Sequence, residues 1–392
     1  ILGLKLVLLG VLIPVVAPSP PAAVSSSDMA SRLATVALGA ASAAATSEVM
    51  MGISYGPTPV LRPEESSWMP EDDFFCDEAA PMWSSEGRGD LRMMKALGAN
   101  LVRLYGNDPR NSHERFLEEA DALGLQVAPG MSDWPFYQKT PGSCRDTDFD
   151  CYSQVKPLYM DNLANGFLTE NDTYHRSLRV MNILNEPDLK MPPSATIGGR
   201  DGPMKMARAL ISAFDAMLDA ERESNVTGKL INFTATFSFA VCMACDRFKH
   251  LPALGQIAQL DDAMRHPEAY NYTPRNDILT AYRTRWIHSF NTANPATDLE
   301  AMFFRPYSEA FPSTPVYIGE YHCVNAPKQR EDLEMILGLA RRSPLFLGVS
   351  FFEFTISYYK TGSEMDFGIF GYGQPVASME YFGATFDVRC LT

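Results

Sequence analysis

From residue 49 onward, short runs rich in Val, Ile and Phe alternate with longer stretches in which apolar residues recur every three or four positions. The short runs predict strands at 49–55, 100–105, 126–130, 179–184, 230–235, 285–290, 316–319 and 347–352. They are bounded by Gly, Pro, Asn and Asp, and β-branched and aromatic side chains suit a pleated, half-buried surface. The longer stretches predict helices at 89–97, 113–123, 204–223 and 329–342, among others. Strand then helix, repeated about eight times, is the rhythm of a single (β/α)8 barrel of the α/β class. A doubly wound open sheet is the alternative, but no Gly-rich phosphate loop follows the first strand. No internal repeat or low-complexity linker divides 49–392, which is expected to form one barrel.

Ahead of it, residues 1–16 are apolar except for Lys5, and a Pro/Ala/Ser stretch containing Pro21-Ala22-Ala23 follows. That order predicts a signal peptide over 1–25, or a signal anchor if it is retained, and an Ala/Ser-rich linker over 26–48. Seven cysteines suit an exported chain, with Cys144 and Cys151 the expected local pair. Cys242-Met-Ala-Cys245 is half a zinc site or a redox pair, but no second CxxC or HxxxH accompanies it, so neither metal nor other cofactor is expected. Asn171, Asn225, Asn232 and Asn271 each begin an N-x-S/T sequon, the third of them inside an expected strand. Lys plus Arg is 33 against 47 Asp plus Glu, a net charge of −14. So acidic a surface repels nucleic acid and anionic lipid. Nucleic acid is excluded as a partner, and membrane contact is confined to an uncleaved N-terminal anchor.

In a (β/α)8 barrel, catalytic groups stand where strands end. Here those positions hold Tyr55, Arg103 with Tyr105, Asp133-Trp134, Asn185-Glu186-Pro187, His288 with Phe290 and Asn291, Glu320-Tyr321-His322, and Glu353. Glu186 and Glu320 each directly follow an apolar strand, the fourth and the seventh. Two carboxylates at one mouth are what glycosidic cleavage needs: one protonates the leaving oxygen, the other attacks or activates water. A separation of ~5–5.5 Å implies retention and ~6.5–9.5 Å inversion. Plainer roles compete. Glu186 suits a helix entry ahead of Pro187, Glu320 and Arg103 suit ordinary ion pairs, and Tyr105 suits core packing. Trp134, Phe136 and Tyr137 could stack on a sugar ring or simply pack the rim. A metalloenzyme using His288, His322 and Glu320 is a third reading, without a supporting ligand pattern.

The fourth-strand Asn-Glu and seventh-strand Glu resemble the signature of clan A of the retaining glycosidases. Within it the chain is most similar to family 72, the β-1,3-glucanosyltransferases of cell walls. The resemblance rests on Gly52-Ile53-Ser54-Tyr55-Gly56-Pro57, on the segment 90–109 with His113, on 315–323, and on Phe351-Phe352-Glu353-Phe354 with Asp366-Phe367-Gly368. It covers residues 50 to 370. It implies Glu186 as acid/base, Glu320 as nucleophile and Asn185 as hydrogen-bond partner of the sugar 2-hydroxyl. Arg103 would hold the nucleophile, while Tyr105, Tyr55, Asp133, Trp134, His288, Tyr321 and Glu353 would line the sugar site. Cys76 and Cys323 match the family's cysteines. Where the clan carries a sixth-strand tyrosine, this chain has Phe290, so Tyr321, Tyr317 or His288 would take over its contact with the nucleophile. Asn-Glu-Pro is instead similar to family 5.

The expectation is therefore an exported enzyme, secreted or held at the cell surface or wall. It would take an oligosaccharide or polysaccharide, a β-glucan of β-1,3 linkage, and act by double displacement. The competing expectation is an inactive barrel that binds glucan as a wall or surface protein.

Overall fold

The computed structural model describes residues 48–191, 201–322 and 328–392. The expectations for residues 1–47 and for Cys323 lie outside them. Eight strands, β1 (Met50–Ser54), β2 (Leu101–Arg103), β3 (Gln126–Ala128), β4 (Val180–Asn185), β5 (Asn232–Phe237), β6 (His288–Thr292), β7 (Val316–Tyr321) and β8 (Phe346–Phe351), form one parallel sheet. Its order is β3-β2-β1-β8-β7-β6-β5-β4. The parallel bridges Val127↔Leu178 and Gly130↔Asn182 bring β3 against β4, so the sheet closes on itself. The chain is a (β/α)8 barrel.

Two apolar layers follow from the period of two along each strand. Met50, Leu101, Ala128, Val180, Ile287 and Tyr317 fill the barrel floor as one buried cluster. The alternate positions, such as Ile53, Val102, Val127, Met181, Phe233 and Ile318, face outward into a larger cluster shared with the helices. Helix Gly202–Glu223 is buried over most of its length among neighbouring helices and β4, and helix Gln329–Arg342 carries Glu331 and Asp332 in its first turn and Arg341 and Arg342 in its last. That placement complements the helix dipole. No helix among the described residues is long and apolar enough to cross a membrane.

Beyond the barrel, β9 (Tyr372–Tyr381) and β10 (Ala384–Leu391) form an antiparallel hairpin that the hydrophobic pattern does not predict. Its buried Met379, Tyr381 and Val388 seat it. Tyr381 stacks on Phe74 at 6.0 Å between centroids and donates its hydroxyl to the Asp73 carbonyl at 2.8 Å. Cys144 is joined to Cys151, as expected, and Cys242 to Cys245, which takes both thiols out of any zinc site. Cys76 is a buried free thiol, and Cys390 is free and half-buried.

Candidate active site

Arg103 is fully buried at the end of β2, and its guanidinium reaches three strands. Nη1 donates to Glu320 Oε1 at 2.9 Å and to Asn291 Oδ1 at 3.4 Å, while Nη2 donates to Asn185 Oδ1 at 2.6 Å. A guanidinium has only donors, so Asn291 must turn its oxygen toward Arg103 and its amide nitrogen the other way. That nitrogen donates to Asn185 Oδ1 at 3.2 Å and to Glu186 Oε1 at 3.1 Å. Arg103 and Asn291 thus link the two carboxylates from the middle of the mouth. The Tyr105 ring lies 4.8 Å from the Arg103 guanidinium, and its hydroxyl donates to Ser54 Oγ at 2.9 Å.

Backbone irregularities aim both carboxylates. On β4 the pairing with β5 slips between Asn182 and Asn185, and on β7 the pairing with β6 passes from Phe290↔Ile318 to Asn291↔Glu320. A bulge lets two successive residues face one way. Gly319 is required there, because a Cβ would meet Thr236 Cγ2 at 2.6 Å and Ser289 Oγ at 2.8 Å. Glu186 has φ +52°, ψ +50°, a left-handed conformation costly for a residue with a side chain. Its amide is held by the Thr236 carbonyl at 2.7 Å, and the turn Pro187–Lys190 follows at once.

Their surroundings differ. Burial first, then the charge of Glu320, pushes the Glu186 carboxyl up to about 7, opposed by Lys190 and by the Asn291 hydrogen bond. Glu320 is instead paired with Arg103. Burial also raises Glu353, at the end of β8, to about 7, against the Ser357 hydroxyl that donates to it at 2.6 Å.

On the β2–β4 side opens a cleft lined by Asp72, Tyr105, Asp133, Gln138, Asn185 and Lys190, with others. Asp133 accepts from Lys190 Nζ at 3.1 Å and from the Tyr137 hydroxyl. Trp134 lies at the rim, 53 % exposed. Burial and the neighbouring Asp73 and Asp133 raise Asp72 to about 6.

Three of the expected sugar-site residues stand elsewhere. Tyr55 points outward from the barrel, its hydroxyl bonded to Asp90 Oδ2 at 2.8 Å and its ring against Phe116 and Phe354. Tyr321 is fully buried in the outer core. His288 opens β6 instead of ending it, because that strand runs two residues further than the pattern predicts. Its ring nitrogens bond Tyr282 at 2.7 Å and Tyr307 at 2.8 Å, which leaves neither for sugar or metal. Burial holds it down to about 3. Phe290, on the same outward side, packs on Phe303 at 4.0 Å and is not the site's sixth-strand residue. That residue is Asn291. Among the described residues no group of three His, Cys, Asp or Glu could hold a metal ion.

Asn291, which the sequence places at a strand end without assigning it a role, joins the site, as do Lys190 and Asp72, which the sequence does not single out. The first two had a signal: Asn291 stands at a strand end, and Lys190 lies one turn after Glu186, its amide bonded to the Glu186 carbonyl at 3.0 Å. Asp72 arrives from a loop that only Gly106 lets approach, since a Cβ there would sit 2.0 Å from the Asp72 carbonyl oxygen.

Fold and mouth together define a (β/α)8 barrel with a two-carboxylate site. No family model matches the chain, nor does any curated protein. Among solved structures it is similar to Saccharomyces cerevisiae Gas2p in complex with laminaripentaose, at 15 % identity over 88 % of this chain and 64 % of that one, with a TM-score of 0.48. It is also similar to Gas2p in complex with laminaritriose and laminaritetraose, at 16 % identity over 83 % and 60 %, TM-score 0.45. A third is ScGas2 in complex with compound 8, at 14 % over 88 % and 62 %, TM-score 0.47. The chain spans about three fifths of the length of these structures. Likeness of this degree carries no residue roles and no substrate over to this chain.

Proposed function

We propose that the protein is a retaining β-glycosidase or transglycosylase acting on β-glucan, with Glu186 as acid/base and Glu320 as nucleophile. The observation that carries this reading is the contrast between the two carboxyls at one mouth. Glu186 is pushed up to about 7, so a large share holds a proton near neutrality, while Glu320 faces the buried Arg103 guanidinium at 2.9 Å. Environments that separate two carboxyls mark the acid and its partner. The β-1,3 linkage rests on the sequence resemblance to family 72.

In the first step Glu320 attacks the anomeric carbon while Glu186 gives its proton to the departing oxygen, and a glycosyl-enzyme ester forms. Esterification removes the Glu320 charge, the largest cause after burial that holds the Glu186 pKa up, so Glu186 becomes easier to deprotonate. It then takes a proton from the incoming water or sugar hydroxyl. The Asn185 oxygen is occupied by Arg103 and Asn291, which leaves its Nδ2 as the donor for a sugar hydroxyl.

The test is incubation with β-1,3-gluco-oligosaccharides, with Glu186→Gln and Glu320→Gln alongside and product lengths followed by chromatography. Products longer than the input, lost in both variants, identify a transglycosylase, and shorter products alone a hydrolase. Binding without turnover in the unaltered protein overturns the proposal in favour of a glucan-binding barrel.

A further inference from the structure

At the end of the barrel opposite the carboxylates lie two of the four Asn-x-Thr sequons. Asn171 is exposed in the turn that precedes β4, and Asn225 is exposed in the turn between helix Gly202–Glu223 and β5. The two sequons touch. Thr173 and Thr227, their third residues, form a parallel bridge, and the Thr227 amide donates to the Asp172 carbonyl at 2.8 Å. Neither asparagine side chain takes a hydrogen bond from, or gives one to, another group among the described residues. The other two sequons differ. Asn232 is the first residue of β5, half-buried, with Nδ2 donating to the Arg285 carbonyl at 3.0 Å and with Phe233 and Thr234 fully buried behind it. Asn271 is exposed, but Pro274 follows Thr273 and stiffens the segment that must bend to bring hydroxyl and amide together.

We propose that Asn171 and Asn225 carry N-linked oligosaccharides and that Asn232 and Asn271 do not. The donor is a lipid-linked oligosaccharyl diphosphate of the secretory membranes, which the apolar run of 1–16 and the two disulfides suit. The asparagine amide nitrogen attacks C1 of the first sugar, and the N–C1 bond forms as the C1–O bond to the diphosphate breaks. The electron pair leaves with the lipid diphosphate, and the nitrogen gives up one proton. An oligosaccharide on Asn232 would remove its bond to Arg285 and stand between β5 and the chain entering β6. Asn171 and Asn225 are both exposed among the described residues, which leaves it room. Two adjacent glycans then cover one sector of the closed end and leave the mouth open to a polymer.

The experiment passes the full chain through the secretory pathway of a eukaryotic host. An amidase then releases N-glycans in heavy-oxygen water, so that each asparagine that carried one becomes a labelled aspartate. Peptide mass mapping is expected to find the label at 171 and 225, with unlabelled asparagine at 232 and 271. Asn171→Gln and Asn225→Gln should each lower the mass of the intact protein by one glycan, and the double variant by two, with melting temperature unchanged. Unmodified Asn171 or Asn225, label at Asn232 or Asn271, or exclusion of the chain from the secretory membranes overturns the proposal.

Discussion

Replacing Asn291 by alanine should move the alkaline limb of the pH–rate profile upward. In the proposed reaction Glu186 must hold its proton at the start, so kcat/KM is expected to fall as the pH rises through its value of about 7 in the free enzyme. The Asn291 amide donates to Glu186 Oε1 at 3.1 Å and so favours the charged form. Its loss leaves that form less stable, and the carboxyl keeps its proton to higher pH. A hydrogen bond to a charged group contributes about 1.5–3 kcal/mol, and one pH unit corresponds to about 1.4 kcal/mol. The other Nδ2 hydrogen goes to Asn185 Oδ1 at 3.2 Å; at 3.1 Å the bond to Glu186 is long for a charged acceptor, so the lower end applies, which places the limb about one unit higher. Asn291→Asp, which sets a carboxylate in the donor's place, should move it further. The assay is kcat/KM on a β-1,3-gluco-oligosaccharide from about pH 4 to about pH 9, with circular dichroism to confirm folding. A limb that stays in place or moves down in folded Asn291→Ala refutes the assignment of both residues.

Asp72, Glu186 and Glu353 all bind protons more tightly folded than unfolded, so together they cost stability as the pH rises from about 4 through about 7. Glu186→Gln should therefore raise the unfolding free energy by about 2–3 kcal/mol above that window and little below it, a contrast that urea titrations at acid and alkaline pH would measure. Equal gains at both would contradict it. Arg103→Lys keeps the charge but cannot hold Glu320, Asn291 and Asn185 at once; turnover should drop by about 10² or more, and calorimetry should show a loss of roughly 3 kcal/mol. Gly319→Ala should cost about 1–3 kcal/mol by overpacking Thr236 and Ser289, and slow turnover beyond what lost stability explains, because Glu320 is displaced. The His288 ring, buried between two tyrosines, should show no titration in its NMR shifts between about pH 5 and about 8.

The barrel was legible because short apolar runs alternate with longer stretches of helical period, and helix Gln329–Arg342 begins and ends where its charge pattern says. The hairpin of β9 and β10 was not, since Tyr372–Tyr381 exposes most of its first half and contains Gly373 and Pro375, neither favourable in a strand. Glu186, Asn185, Arg103 and Glu320 could be named from their place after apolar runs. Which way a residue faces was harder. Period two gives the side only while the register holds, and the slip at Gly319 reverses the side of every later position on β7, Tyr321 among them. On β6 an expected strand placed two residues early put His288 and Phe290 at the mouth beside Asn291 and gave no role to Asn291, the side chain that touches Glu186.

The two bulges also divide labour within the chain. Glu186 and Glu320 take their aim from hydrogen-bonded strand backbone, whereas Asp72, Asp133 and Trp134 are presented by loops. Loops vary in length and sequence at small cost to a fold, while groups on strands keep their spacing. On the proposed function, insertions or exchanges in the loops after β1 and β3 would thus reshape which sugar chain is accepted without shifting either carboxylate. The carboxylate geometry and the shape of the cleft can then drift independently in this barrel, the first anchored in the sheet and the second left to its rim.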